Sequence, residues 1–276
     1  MLIALPLFTF AGSIFAEGGA ARRLVGLSRE LFGWMPGGLA LVCLAACAFF
    51  TAFTGASGVT IIALGAILYP ALKQDGYGDR FNLGLVTSSG SLGLLFAPSL
   101  PLILYGVVAE VSIDDLFRAG VLPGLAMLVM LAGYSIWVNR DNRKPVSAFS
   151  WKEVGAALRE AIWELPLPIV VLGGIYSGFF AVSEAAAITA LYVFIAEVLI
   201  NREIALRDLP RITRDSMVLV GGILMILGVS LASTYYMIDT EVPQKLLAFV
   251  AGLVSSPTSF LVLLLLFLLV LGAILD

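Results

Sequence analysis

The 276-residue sequence contains no histidine and only two cysteines. Without histidine the chain lacks the usual general base of nucleophilic enzymes, the commonest metal ligand and the usual axial ligand of haem. Cys43 and Cys47 lie four residues apart in an apolar run, where such small residues pack against lipid or against other helices. The composition therefore excludes histidine-dependent catalysis and gives no sign of a bound organic cofactor.

Charged residues are also scarce. They make up 13% of the chain, against 60% hydrophobic residues, and the mean hydropathy is +1.03. The net charge is −3 and no basic block dominates, so nucleic acid is not an expected partner. Several apolar stretches are long enough to cross a hydrocarbon core of about 30 Å. The composition predicts an all-α polytopic membrane protein embedded in the lipid bilayer.

The apolar stretches indicate the topology. They lie at 1–16, 36–72, 83–109, 119–138, 166–200, 216–238 and 258–275. Stretches 36–72 and 166–200 are too long for one crossing, and small or polar residues interrupt both of them. If each is a pair of helices that returns to the side it left, every Lys and Arg except Arg118 and Lys245 lies on the cytoplasmic side. We predict this arrangement within a single transmembrane domain over 1–276.

Residues 151–165 have an amphipathic helical pattern. Trp151, Val154, Leu158 and Ile162 recur at helical spacing, and charged residues occupy the opposite face. We predict a helix that lies at the cytoplasmic interface of the membrane. A solvated connector is the alternative.

The two ends of the sequence do not resemble those of a complete membrane protein. Apolar residues follow Met1 directly without a basic segment, which argues against a signal peptide. Apolar residues also continue almost to Asp276, with no cytoplasmic tail. We therefore expect that N-terminal and C-terminal parts are missing.

Residues 55–58, Gly-Ala-Ser-Gly, interrupt the first long stretch. They match the G-x-S-G pattern of rhomboid-type intramembrane serine proteases, but that nucleophile needs a histidine base, so an enzyme is not expected. A helix broken here instead exposes backbone carbonyls and hydroxyls inside the membrane. Such oxygens suit Na⁺, while the N-termini of half-helices favour an anionic group. The alternative is that the small residues only permit close helix packing.

A second break is predicted within 83–109. Every residue of 87–93 except Leu92 is Ser, Thr or Gly, and Pro98 and Pro101 follow. Because the prolines remove two helical hydrogen-bond donors, we predict a discontinuous helix, with a proline-kinked packing helix as the alternative. Two broken segments close together in sequence indicate a site of secondary transport.

Two glutamates lie in the second long stretch. An acidic residue at membrane depth is a candidate functional group, but Ser183 and Glu184 also suit the N-terminus of a helix, and we favour this capping role. Glu197 lies near a predicted helix end, where we expect its side chain to extend to the interface.

Short motifs recur in a fixed order along the chain. They are Pro6-Leu7-Phe8, Ala11-Gly12, Pro36-Gly37-Gly38-Leu39, the turn at 55–58, Gly76-Tyr77, Pro98-Ser99, Tyr105-Gly106, Ser183-Glu184-Ala185-Ala186-Ala187 and Leu271-Gly272-Ala273-Ile274-Leu275-Asp276. In this order they resemble the large membrane (permease) subunit of tripartite ATP-independent periplasmic (TRAP) transporters. Two positions depart from that family's pattern. Ala97 stands where a proline is common, and Ala181-Val182-Ser183 replaces a Thr-Pro-Thr type sequence.

The resemblance implies an ion-transporter-like elevator fold, with a re-entrant hairpin at 36–72, a broken helix at 83–109 and an incomplete inverted repeat. It implies Na⁺-driven import of a small organic acid, such as a dicarboxylate or sugar acid, across the bacterial inner membrane. The implied partners are a small integral membrane subunit and a periplasmic substrate-binding protein. No cofactor is implied beyond the coupling ion Na⁺.

The resemblance also implies a site. The Na⁺-binding residues would be Gly55, Ser57, Gly58, Thr60, Ser88, Gly90 and Gly93. The substrate-binding residues would be Ser89, Pro98 and Ser99, and Ser183 and Glu184 would be structural. The alternatives are a Na⁺-coupled carboxylate or ion carrier that works without a binding protein, and a non-transporting channel or scaffold subunit.

Overall fold

The computed structural model describes residues 2–35, 37–140, 150–253 and 256–274, and no β-strand occurs among them. The α-helices of these residues are α1 (Ala4–Glu17), α2 (Ala20–Phe32), α3 (Gly38–Thr54), α4 (Ser57–Gln74), α5 (Asp79–Leu92), α6 (Leu100–Val108), α7 (Ile113–Val138), α8 (Trp151–Glu160), α9 (Pro166–Tyr176), α10 (Val182–Phe194), α11 (Leu209–Asp239), α12 (Val242–Leu253) and α13 (Pro257–Ile274). Pro36, Arg143, Lys144 and Asp276, on which parts of the topology prediction rest, lie outside the described residues.

Several helices are long and apolar enough to cross a bilayer. Within the described ranges these are α4, α7, α11 and the continuous segment Val182–Ile200, in which α10 runs on as a π-helix. Two bent pairs also pass the same test of length and composition, namely α1 with α2, bent by 71°, and α5 with α6, bent by 48°. The prediction of an all-α polytopic membrane protein is therefore confirmed.

The break between α3 and α4 is produced by two residues. Gly55 has a φ of +64°, in the left-handed region that favours glycine, and its N–H donates to the Thr51 carbonyl at 2.8 Å. Ala56 is extended, and α4 begins at Ser57. A Cβ on Gly55 would lie 2.5 Å from Cγ of Leu100, so glycine is also required by the close approach of α6.

The break between α5 and α6 takes a different form. After α5 ends, Gly93–Leu95 form a tight 3₁₀ turn and Phe96 is extended. The peptide bond between Ala97 and Pro98 is cis, and α6 begins with Leu100. The chain is therefore non-helical between the two halves, at a position that touches the tip of the α3–α4 pair.

Helix α3 lies at the centre of the packing. It contacts α1, α2, α4, α5 and α7, and α1 also packs along α10. The thiols of Cys43 and Cys47 are fully buried on α3, so these residues fill space between helices. Helix α5 packs against both α3 and α4. These contacts and the continuity of the chain therefore hold the two broken elements, α3–α4 and α5–α6, against one another.

Helix α8 is shorter than the predicted amphipathic segment at 151–165. Val154 is buried, and Ala157 packs with Leu27 of α2. Trp151 and Ile162 are exposed. The exposed apolar side chains are those that an interfacial location would place against lipid, and that location stays a prediction.

The chain divides into two compact units, residues 1–221 and residues 222–276. The functional residues considered below belong to the first unit. In the second, side chains along α13 such as Leu261 and Phe267 are exposed and apolar, as expected of a lipid-facing helix.

Replacing Gly93 with alanine should destabilise the protein. A Cβ there would lie 2.4 Å from the Ala48 carbonyl oxygen and 2.6 Å from the Ala52 nitrogen, so the turn after α5 would have to move away from α3. We expect a loss of about 1 to 3 kcal/mol, measured as a lower melting temperature of the purified protein in detergent. Gly84→Ala in α5 is the control, because a Cβ there meets open space. Equal melting temperatures for the two variants would contradict the packing described.

Candidate functional site

Three buried threonine hydroxyls meet at the tip of the α3–α4 pair. The Oγ1 atoms of Thr51 and Thr60 lie 2.8 Å apart, and those of Thr54 and Thr60 lie 3.2 Å apart. The hydroxyl of Thr51 also lies 2.9 Å from the Gly90 carbonyl oxygen, and that of Thr60 lies 3.4 Å from the Ala56 carbonyl oxygen. We call Thr51, Thr54, Thr60 and the Gly90 carbonyl the hydroxyl cluster.

The helix break creates this cluster. Thr51 and Thr54 share one face of the last turn of α3, because they are three residues apart. Thr60 lies in the first turn of α4, and the reversal at Gly55 brings it back against them. Gly90 completes the cluster from α5, where a Cβ would lie 2.4 Å from Cγ1 of Ile61. Only glycine allows α5 to approach α4 so closely.

The cluster is neutral and rich in oxygen. Hydroxyl and carbonyl oxygens are hard ligands suited to an alkali cation, and the C-terminus of α3 adds partial negative charge from carbonyls that have no helical partner. Among the described residues, no group of three or more His, Cys, Asp or Glu side chains is arranged to hold a metal ion. The site therefore suits a weakly held monovalent cation better than a transition metal or a tightly bound divalent ion.

The structure brings together five of the predicted Na⁺-binding residues. Thr60 and Gly90 belong to the hydroxyl cluster, while Gly55 makes its turn and Gly93 lies against Thr51. Ser57 is half-buried at the start of α4, and its carbonyl oxygen would lie 3.5 Å from a Cβ on Gly90. The other two predicted residues, Gly58 and Ser88, are exposed.

Two members of the cluster were missed from the sequence. Thr51 and Thr54 precede the Gly55 turn by four residues and one residue, at the end of an otherwise apolar helix. Hydroxyls spaced three apart just before a glycine break are the signal that could have identified them.

The predicted substrate-binding residues differ in their surroundings. The hydroxyl of Ser89 donates to the Leu85 carbonyl and lies 3.4 Å from Sγ of Cys43, so bonds within α5 and to α3 already engage it. Pro98 and Ser99 are buried in the extended connection before α6. The Ser99 hydroxyl has no hydrogen-bond partner among the described residues. Ser99 precedes the Leu100 side chain that touches Gly55, so it offers a polar group beside the hairpin tip.

Glu184 lies at the N-terminus of α10. Its Oε2 accepts a hydrogen bond of 3.0 Å from the backbone N–H of Ala181, and its carboxylate lies in the first turn of the helix. A carboxylate at this position is stabilised by the helix N-terminus. Ser183 occupies the same turn and is half-buried.

The turn before α10 is fixed to α7. Arg118 donates from Nη2 to the Tyr176 carbonyl at 2.9 Å, and the Tyr176 hydroxyl donates to the Phe117 carbonyl at 3.3 Å. Gly178 adopts a φ of +75° in the turn itself. These contacts position the α9–α10 pair beside α7 without a charged pair.

The prediction that Glu197 extends to the interface is wrong. Its side chain is buried, and both carboxylate oxygens accept hydrogen bonds from the Arg23 guanidinium, at 2.8 and 3.1 Å. Arg23 and Glu197 are 174 residues apart in sequence, so no local pattern indicated this pairing.

Replacing Glu184 with alanine should remove the cap of α10. We expect a loss of about 1 kcal/mol, which lowers the melting temperature by roughly 2 to 4 °C for a protein of this size. Ser183→Ala is the matched control and should leave the melting temperature nearly unchanged. Equal effects of the two substitutions would show that the carboxylate does not cap the helix.

Comparisons with known proteins agree with the family resemblance seen in the sequence. The family described as "Tripartite ATP-independent periplasmic transporter, DctM component" matches residues 1–276. The large permease protein of the ectoine/5-hydroxyectoine TRAP transporter of Ruegeria pomeroyi is 35% identical over 247 residues, which cover 89% of this chain and 58% of that protein. The large permease protein of the C4-dicarboxylate TRAP transporter of Rhodobacter capsulatus is 34% identical over 262 residues, which cover 89% of this chain and 59% of that protein.

A third relative is longer. The isethionate TRAP transporter permease protein DctMQ of Oleidesulfovibrio alaskensis is 34% identical over 281 residues, which cover the whole of this chain and 44% of that protein. The chain spans somewhat less than three fifths of the length of the first two relatives.

Proposed function

Since the chain belongs to the family of the DctM component of tripartite ATP-independent periplasmic transporters, we propose that it forms the Na⁺-binding part of a permease subunit that imports a small organic acid. It is a multi-pass membrane protein of a transporter family, and that family is not one of enzymes. Na⁺ coupling, the solute, the partners and the location in the bacterial inner membrane belong to the proposal.

The observation that carries the proposal is the hydroxyl cluster. Thr51 and Thr60 are fully buried, and their oxygens converge with the Gly90 carbonyl where two broken helices meet. The three hydroxyls lie within hydrogen-bond distance of one another. A Na⁺ ion would replace these mutual hydrogen bonds with ion–oxygen contacts, so it could bind and leave without a large rearrangement.

The solute is proposed to lie beside the cluster. Ectoine, C4-dicarboxylates and isethionate, named for the three relatives, each carry a carboxylate or sulfonate group. The N-termini of α4 and α6 both lie at the breaks and favour negative charge. The hydroxyl of Ser99, at the start of α6, has no hydrogen-bond partner in the described ranges and would donate to that acid group. A cation and an anion bound close together would neutralise each other in the membrane.

The proposed motion is of the elevator type. Gly90 and Gly93 pack α5 tightly against α3 and α4, so the two broken elements would move as one body with their bound ion and solute. In the cell this body would work with a small integral membrane subunit and with a periplasmic binding protein that delivers the solute.

Na⁺ should stabilise the protein, and Thr60→Val should abolish that effect. In a choline buffer of constant ionic strength, saturating Na⁺ should raise the melting temperature by several degrees, because a ligand at about 100 times its Kd contributes about 2.7 kcal/mol. Valine keeps the shape of threonine but removes the central hydroxyl. Thr87→Val is the control, since that exposed hydroxyl bonds only carbonyls of its own helix. A Na⁺ shift that persists in Thr60→Val, or an equal shift with K⁺, would contradict the assignment.

Ser99→Ala should weaken solute binding without changing the Na⁺ requirement. A hydrogen bond to a charged group contributes about 1.5 to 3 kcal/mol, so the KM for uptake should rise roughly tenfold or more. The measurement is Na⁺-dependent uptake by the complete transporter with its partner proteins. Ser91→Ala, at an exposed position near the end of α5, should leave KM unchanged. Identical KM values for the two variants would remove Ser99 from the solute site.

A further inference from the structure

A surface opening of about 320 Å³ lies where α1 turns into α2. Three segments that are far apart in sequence form it, and the distribution of Lys and Arg predicts that all three are cytoplasmic. We call it the polar opening. Its lining residues are Gly19, Arg22 and Arg23 at the α1–α2 turn, Glu160 at the end of α8, and Asn201 and Glu203 after the α10 span.

Ion pairs behind the polar opening fix its shape. The guanidinium of Arg23 lies 2.5 Å from Glu164, 2.8 Å from Glu197 and 2.6 Å from Glu203. Glu203 also accepts a hydrogen bond from the backbone N–H of Gly19, and its side chain is hydrogen-bonded to that of Glu197. Arg23 and Glu203 are therefore already engaged by the protein, and together they join the three segments.

Two charged residues of the lining are left over. Arg22 on α2 and Glu160 at the end of α8 are both exposed, and both line the polar opening. Neither side chain forms an ion pair or a hydrogen bond with another described residue, although the two carry opposite charges and border the same space. One positive and one negative group therefore remain available to a ligand.

Asn201 supplies a separate observation. It lines the polar opening, and its Nδ2 is buried without a hydrogen-bond partner in the part of the chain that the structure describes. A buried amide N–H that lacks an acceptor is unfavourable. An oxygen atom of a ligand would provide this acceptor after a rotation of the side-chain amide toward the opening.

The charges around the polar opening select the kind of ligand. A simple anion could reach Arg22, but it would also meet the carboxylates of Glu160 and Glu203. A simple cation would meet the guanidinium groups of Arg22 and Arg23, and no group of three or more acids in the described ranges is arranged to hold a metal ion. Placing like charges together is costly. A ligand that carries one charge of each sign avoids both conflicts.

Apolar side chains next to the lining residues indicate where such a ligand comes from. Ile162 and Trp163 closely follow the end of α8, and Leu199 and Ile200 directly precede Asn201. All four are exposed. Exposed apolar side chains and tryptophan are typical of the boundary between the hydrocarbon core and the headgroups of a membrane. The acyl chains of a lipid would lie along these side chains.

We propose that the polar opening binds a phosphoethanolamine group, as carried by a membrane lipid. The phosphate lies at Arg22 and Asn201, and the primary ammonium lies at Glu160. A guanidinium recognises phosphate through several N–H donors, and an ammonium donates hydrogen bonds to a carboxylate. Because the three segments meet at this site, a bound headgroup connects them and stabilises the folded protein. The proposal does not depend on the Na⁺ site.

The test is the melting temperature of the purified chain in mixed micelles, in a Na⁺-free buffer that separates the outcome from the hydroxyl cluster. Phosphatidylethanolamine at about ten times its Kd should raise the melting temperature by roughly 3 to 5 °C. Phosphatidylglycerol at the same mole fraction lacks the ammonium group and should have a much smaller effect. Equal shifts with the two lipids would overturn the proposal.

Substitutions at the two available charges identify the site. Arg22→Gln and Glu160→Gln should each remove the difference between the two lipids, and both variants should fold because these side chains are exposed and make no ion pair among the described residues. Lys152→Gln and Glu153→Gln are the matched controls, since both are exposed charged residues of α8 outside the lining. A lipid difference that persists in both Arg22→Gln and Glu160→Gln would overturn the assignment.

A second measurement uses the wild type alone and does not depend on stability. Native mass spectrometry of the chain with an equimolar mixture of the two lipids should show preferential retention of phosphatidylethanolamine, and equal retention would contradict the proposal. Soluble O-phosphoethanolamine separates the two sources of the headgroup. A shift in melting temperature with the lipid alone supports a lipid site, whereas an equal shift with the soluble compound supports the same site for a soluble cytoplasmic ligand.

Discussion

A helix that stops among apolar neighbours leaves carbonyl and N–H groups unpaired, and a bilayer contains no water to satisfy them. The structure meets this constraint twice within 60 residues, at the α3–α4 and α5–α6 breaks. Thr51 and Thr60 supply hydroxyls at the first break, and the glycines at 90 and 93 let the helix that leads into the second approach closely enough to contribute a carbonyl. The first break therefore lies where one of its hydroxyls can satisfy a carbonyl of the helix that leads into the second break. The central packing of α3 and the position of the proposed ion site both follow from this pairing.

The buried charged residues are arranged differently from the neutral residues at the helix breaks. The hydroxyl cluster has no formal charge, so the proposed Na⁺ ion would enter and leave it at modest cost. Arg23 and the three glutamates around it, Glu164, Glu197 and Glu203, instead place formal charges in a largely buried setting, where one guanidinium contacts acids from three segments. Removing one partner from such a set of buried ion pairs would strongly destabilise the protein. The first arrangement suits a transient ligand, whereas the second suits a fixed joint between separate segments of the fold.

Much of the fold could be predicted from the sequence because the membrane imposes simple rules of length and hydropathy. The helical class follows from composition, and the turn at Gly55 from local residue types. Side-chain direction was harder to predict. Ser88 and Ser89 are adjacent, yet successive helical residues point about 100° apart, so one is exposed and the other is buried. The pairing of Arg23 with Glu164 could not be predicted, because the two residues are 141 positions apart and meet only through packing.

The central claim is that the hydroxyl cluster binds Na⁺. Equilibrium binding of radioactive Na⁺ to the purified protein tests it most directly, since it requires neither the solute nor a partner protein. The account predicts saturable binding of Na⁺ that excess unlabelled Na⁺ displaces and K⁺ does not, and that is lost when Thr51 and Thr60 are both replaced by valine. Saturable binding of the same affinity in that double variant would place the ion elsewhere, and no saturable binding in the wild type would contradict the claim itself.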